Sequence, residues 1–190
     1  DPLMGIISDR TQHRLGRRHP YFLLGMIPMG LSYFMLFSIQ SSWGLSQQQL
    51  FLWMLTFTVL TRIGMTMFDV PHRSLGSEMS RSYTERTSIF AAREMMGWGG
   101  GLFNAFLAYT VFFKDTPEYI PGTQNPEPWV YYGMTGALLM CGAVLITYFG
   151  TLKYRDNSYK DISSFDLKLI FTQIYIALKN KSFLIFFFGF

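Results

Sequence analysis

An all-α, polytopic membrane bundle is the fold class this sequence predicts. The apolar residues come in blocks long enough to cross a bilayer, the basic residues sit between the blocks on alternate connections, and Trp129, Tyr131 and Tyr132 cluster where one block begins. Tyr21 to Gln40, Leu50 to Val70, Ile89 to Phe113 and Val130 to Leu152 each have the length a helix needs to cross about 30 Å of hydrocarbon. A soluble domain would instead spread its apolar residues with the period of an amphipathic helix or strand.

The net charge of +4 reports topology. Arg10, Arg14, Arg17 and Arg18 occupy the first connection, Arg81 and Arg86 the third, and Lys153, Arg155, Lys160, Lys168, Lys179 and Lys181 the fifth. The other two connections hold only Lys114. By the positive-inside rule the first, third and fifth connections face the cytoplasm. Nucleic acid is not an expected partner, because the basic residues do not line one polar face among stacking aromatics. The lipid bilayer is.

In chain order, Asp1 to Ser8 reads as the inner end of a descending helix. The next helix starts near Pro20, which suits a first turn because its missing N–H would be unpaired there anyway. Ser41 to Gln49 is a short outer loop. The following helix descends to Leu75 with Pro71 near its inner end, where loss of the bond to the Met67 carbonyl predicts a kink. Ser80 to Thr87 reads as a tight polar turn. The fourth block carries Gly97, Gly101 and Ala105 at four-residue spacing, a smooth face for a neighbouring helix. Pro117, Pro121, Pro126 and Pro128 keep Lys114 to Trp129 from being helical, so this is an outer loop. Beyond Thr151 the chain is polar. Within that connection Phe165, Leu169, Ile170, Ile174 and Leu178 recur at helical spacing behind Ser163 and Asp166, which predicts an amphipathic helix on the membrane face or the bundle's underside.

Asp1 is not an initiator residue, and Phe183 to Phe190 starts an apolar span that stops after about two turns. The expectation is a piece of a longer chain. Cys141 is the sole cysteine, and His13, His19 and His72 are scattered, so neither a disulfide framework nor a metal site is expected. Gly99, Gly100 and Gly101 lack the strand and lysine of a phosphate loop, which argues against an ATP-driven pump. No enzyme chemistry or cofactor is expected.

Ionisable side chains at bilayer depth need partners or a water-filled cavity. Arg62 and Asp69 are seven apart and share a helix face that should point into the bundle, and Asp69 and Arg73, four apart, can meet. Two readings stand for Asp69: neutralisation by Arg73 or Arg62 to hold the fold, or a polar cavity aimed at a hydroxylated or charged solute. Arg73 can serve that cavity or reach the interface by snorkelling. Glu94 follows Arg93, so the two point about 100° apart and need not share an environment. Asn104 is expected to bond between helices.

Asp1 to Gly25, in the order DPLMGIISDRTQHRLGRRHPYFLLG, resembles the helix II and loop signature of the glycoside-pentoside-hexuronide cation symporters, the branch of the major facilitator superfamily that includes the melibiose permease. Asp1-Pro2, Gly5, Asp9, Gly16, Arg17, Pro20 and Gly25 fall at that pattern's spacings. Asp69-Val70-Pro71-His72-Arg73-Ser74-Leu75, then Glu85-Arg86-Thr87 and Arg93, resemble the family's helix IV end, inner loop and helix V arginine. The resemblance implies a partial major facilitator bundle. Residues 1–150 would be the N-terminal half-bundle (end of helix II, helices III to VI), 151–182 the cytoplasmic central loop with its amphipathic helix, and 183–190 the start of helix VII. It implies a secondary active transporter in a bacterial inner membrane, coupling sodium or protons to a small-molecule solute, a sugar, glycoside or uronide. Asp1 and Thr66 would bind the cation; Asp69 and Arg93, with Arg73, the solute; Asp9, Arg10, Arg17 and Arg18 would belong to the gating loop. Arg73 stands where the melibiose permease has a tryptophan against the sugar ring, which leaves the solute open. A lipid or lysolipid carrier, or a transporter-like sensor of the same fold, is the competing class.

The topology is directly testable. Single cysteines at Arg17 and Lys160 are expected to label only from the cytoplasm and one at Gln124 only from outside; labelling of Gln124 and Lys160 from the same side would break the four-span reading.

Overall fold

The computed structural model describes residues 2–11, 13–155 and 179. Asp1, nearly all of the expected central loop and the expected last span lie outside the described residues. The described chain is helical: α1 (Pro2–Arg10), α2 (His19–Phe37), α3 (Gln47–Glu78), α4 (Tyr83–Leu107) and α5 (Pro128–Thr151). A wider turn, Ala108–Phe112, extends α4 with five-residue hydrogen bonding.

The helix starts follow local chemistry. Proline occupies the first turn of α2, as its sequence predicts, and again the first turn of α5. α3 opens on a capping box: the Ser46 hydroxyl accepts from the Gln49 backbone N–H at 3.4 Å, and the Gln49 side chain accepts from the Ser46 N–H at 2.8 Å. α4 begins earlier than its apolar block. Ser82 is extended, Glu85 sits in the first turn where the helix dipole favours negative charge, and the polar turn shortens accordingly. There Ser80 contacts the Glu85 carboxylate, and Arg86 Nε donates to the Ser80 carbonyl at 2.6 Å.

α3 continues through Pro71 as one helix of 32 residues, or about 48 Å at 1.5 Å per residue, so it outreaches the hydrocarbon layer. α2, α3 and α5 are long and apolar enough to cross a membrane. α4, the expected fourth crossing, falls short on composition, because Arg93, Glu94 and Asn104 interrupt its apolar residues.

α2 is the axis, with α3 on one side and α5 on the other. Phe22, Met29, Leu75, Val144 and Tyr148 form the buried core between them. The α2–α3 contact is backbone to backbone: a Cβ on Gly64 would lie 2.6 Å from Met29 N, and one on Gly25 would lie 2.9 Å from the Gly64 carbonyl oxygen. Buried within this contact, Thr61 Oγ1 donates to Ser32 Oγ at 2.9 Å, and Ser32 turns its own proton to the Pro28 carbonyl. On the other side His19 Nε2 lies 3.2 Å from Thr151 Oγ1, joining the start of α2 to the end of α5.

The outer loop is folded against the bundle. Trp129 stacks on Phe37 and donates its indole N–H to the Thr123 carbonyl at 3.1 Å, and Asp115 accepts from the Gly122 N–H at 2.7 Å. Asn104 donates to the Tyr132 hydroxyl at 2.9 Å, the interhelical bond its sequence context predicts, here from α4 to α5. The glycine face of α4 takes no neighbour from the described residues. A Cβ on Gly97, Gly99, Gly100 or Gly101 would meet nothing within 4 Å among the described residues, and the close glycine contacts fall on α2 and α3 instead.

Gly64→Leu is expected to force α2 from α3 and cost about 1–3 kcal/mol, read as a lower thermal midpoint of the full-length protein. An unchanged midpoint would show that the two backbones are not in contact there.

Candidate functional site

α3 carries two charged clusters. Asp69 and Glu78 anchor them nine residues, or about 13 Å, apart along its axis.

At the inner end Glu78 accepts from Arg18 Nη2 at 2.6 Å and lies 3.4 Å from Arg17 Nη2. Arg18 also reaches Asp9 Oδ1 at 3.2 Å, so one guanidinium joins α1, the α1–α2 loop and α3. Only 8% of the Arg18 side chain is exposed, which leaves little room for water to replace either carboxylate. Asp9, Arg17 and Arg18 are therefore brought together; Arg10 closes α1, outside these pairs. Glu78 is the member that sequence reasoning missed. An acid in the last turn of a helix opposes the dipole and so needs a cationic partner, and that was its available signal.

Deeper along α3, both Asp69 oxygens are taken. Arg73 Nε donates to Oδ2 at 2.7 Å from one turn along the same helix, and Arg93 Nη2 donates to Oδ1 at 2.6 Å from α4. Arg93 Nη1 in turn donates to Glu94 Oε1 at 3.0 Å. Arg73, Asp69, Arg93 and Glu94 thus form a chain of alternating charge with no net charge. This decides between two pairs of open alternatives. Arg93 and Glu94 do share an environment, because the long guanidinium bends round the helix to reach its neighbour. Arg62 is exposed and takes no part in the Asp69 pairs, since seven residues place it about 10 Å along the axis.

The chain is most buried in its middle, at Arg93 (25% exposed) and Asp69 (35%), and open at both ends, at Arg73 (60%) and Glu94 (66%). The more buried pair spans the two helices and the more open one lies within α3. Phe68 stacks on His72 beside it, and Phe22 of the core meets the same imidazole edge-on, so the cluster rests on the α2–α3 core. Glu94, with Gly97, Trp98, Gly101 and Leu102, borders an open groove of about 400 Å³ on α4. Thr66 is half-buried one turn before Asp69 on α3, and Asp1, its expected companion, lies outside the described residues. Among the described residues no cluster of His, Cys, Asp and Glu could hold a metal ion of the ordinary multi-ligand kind.

Such an arrangement supplies fixed, paired charges to polar groups at bilayer depth, and positions no nucleophile next to a base. The chain is 26% identical over 176 residues to an uncharacterized symporter of Synechocystis, covering 88% of this chain and 30% of that protein. It is 29% identical over 180 residues to the uncharacterized symporter YnaJ of Bacillus subtilis, covering 92% and 35%, and 30% identical over 127 residues to the inner membrane symporter YicJ of Escherichia coli, covering 66% and 26%. It therefore spans about a third of the length of these relatives. The family model described as MFS/sugar transport protein matches residues 1–190. This chain belongs to that family of integral membrane transport proteins, and its helices are part of a major facilitator bundle.

Proposed function

We propose that the protein is a cation-coupled symporter of a sugar, glycoside or uronide that works by alternating access in a bacterial inner membrane. The observation that carries this reading is Asp69, an ionisable carboxylate well inside α3 whose two oxygens are held by guanidinium groups from α3 and α4. A structural pair needs one partner. Two guanidinium groups on one carboxylate, with exposure rising toward Arg73, make a polar wall on which a hydroxylated solute can replace part of the pairing. Asp69, Arg93 and Arg73 are the solute residues in this proposal.

Asp1 and Thr66 would hold the coupling cation, sodium or a proton, beside that wall. Hard oxygen ligands suit sodium, and a carboxylate can equally carry a proton. A buried oxygen cluster is stable only when a cation or proton occupies it, so occupancy and conformation are linked. Asp9, Arg10, Arg17 and Arg18 would form the inner gate, with Glu78 added as the acceptor that Arg17 and Arg18 share. In this scheme residues 1–150 belong to one half-bundle, 151–182 to the central loop and 183–190 to the next span. Rocking of the half-bundles about the solute site moves solute without making or breaking a bond.

In the full-length protein, Asp69→Asn or Arg93→Gln is expected to weaken solute binding by more than about tenfold, the cost of one charge-assisted hydrogen bond, while insertion persists. Asp1→Cys is expected to remove cation stimulation of solute binding and leave some cation-independent binding. Unchanged affinity in unstable Asp69 and Arg93 variants would make that pair purely structural, and sodium stimulation with an unchanged midpoint would remove Asp1 from the cation site.

A further inference from the structure

We propose that Arg62 is a tethered cation of the coupling site: its guanidinium balances Asp1 beside Thr66 in the cation-free state, and sodium or a proton must displace it to bind. The inference rests on the cation site proposed above and names a competitor within it.

Arg62 lies within the apolar block of α3, twelve residues from Leu50 and eight from Val70. That is about 18 and 12 Å along the axis, too far for its side chain to reach either interface. A cation at such depth needs an anion or a water-filled cavity. Among the described residues no carboxylate pairs with it: Asp69 is held by Arg73 and Arg93, and Glu78 by Arg17 and Arg18. Glu94 is bound by Arg93 and follows it on α4, so it lies near the level of Asp69, about 10 Å along the axis from Arg62. α2 and α5 contain no Asp or Glu, and α4 contains none beyond Glu94.

The acid left for Arg62 belongs to the start of α1. α1 runs alongside α3 in the same direction: a Cβ on Gly5 would lie 3.8 Å from Val70 Cγ1, and Asp9, one turn on, joins Glu78 through Arg18. Three residues back from Gly5, Pro2 comes level with Met67, and Asp1 is bonded to Pro2. Arg62, exposed, and Thr66, half-buried, are one turn apart on one face of α3. A guanidinium, a sodium ion and a proton can each neutralise a carboxylate there, but two of them together repel. Two like charges about 6 Å apart at an effective dielectric constant of about 20 change an affinity by roughly a hundredfold. Arg62 therefore weakens the site for its coupling cation, and it spares the cation-free state a bare buried carboxylate.

The test needs no solute, because a ligand of the folded state raises the thermal midpoint. The full-length protein is titrated with sodium chloride against choline chloride and, separately, with protons in choline chloride, each response being read as the difference from Asp1→Cys. Arg62→Gln is expected to lower the half-saturating sodium or proton concentration by about tenfold or more. Arg62→Lys, which keeps the charge, should stay near the wild type, and adding Asp1→Cys to Arg62→Gln should remove the gain. Half-saturation that is unchanged or raised in Arg62→Gln, or lowered equally in Arg62→Lys, overturns the proposal. If the wild-type response is lost in Asp1→Cys but indifferent to Arg62→Gln, the cation site stands and only the role of Arg62 falls. A response indifferent to Asp1→Cys, or no response in any variant, removes both. Arg62→Met serves as a second neutral variant; failure of both neutral variants to fold while Arg62→Lys folds would make Arg62 a structural charge and overturn the proposal.

Discussion

An ionised carboxylate on a helix that crosses a bilayer must be met by positive charge, and the structure is arranged around how Asp69 meets that requirement. Arg73 comes from the same helix at i+4 and Arg93 from the next one, so a local constraint becomes a link between α3 and α4. That link matters because, among the described residues, nothing buries α4 between Tyr83 and Leu107 or lies against its glycine face. The described polar ties of α4 to the other long helices are the Arg93–Asp69 pair, to α3, and the Asn104–Tyr132 bond, to α5. In contrast, α2, α3 and α5 share a packed core and a backbone-to-backbone contact at Gly25 and Gly64.

The same helix carries the inner cluster. Glu78 is the last residue of α3, and there it gathers Arg17 and Arg18, with Asp9 joined through Arg18. α3 is therefore the element common to the proposed solute wall and the proposed inner gate. With a continuous helix between Asp69 and Glu78, movement of α3 at one cluster is felt at the other. This gives the proposed linkage between solute binding and gating a physical carrier in a two-cluster, one-helix arrangement.

Features set by spacing along one helix were legible in the sequence. The Asp69–Arg73 pair follows from i, i+4 geometry, the start of α2 from Pro20, and the apolar blocks from bilayer thickness. Asn104 was readable as an interhelical bond because an amide inside a span has few alternatives. Features set by helix rotation were not. Arg62 and Asp69 share a stripe, but the cross-helix partner of Asp69 comes from α4, whose rotation decides that Arg93 meets it. Small-residue spacing marked Gly97, Gly101 and Ala105 on α4, whereas Gly25 and Gly64 lie on different helices with no such local pattern, and only packing shows that they meet. Glu78 escaped because its partners lie about 60 residues away in sequence, a separation no local pattern encodes.

The central claim is that the Asp69–Arg93 pair serves a solute as well as the fold. Its most direct measurement is solute affinity together with thermal midpoint in the full-length Asp69→Asn/Arg93→Gln double variant, which removes both charges of the pair and leaves Arg73 and Glu94 as opposite charges without their described partners. The account predicts a protein that still folds, with a lowered midpoint, and solute affinity lowered by more than about tenfold. A folded double variant with wild-type solute affinity would contradict it.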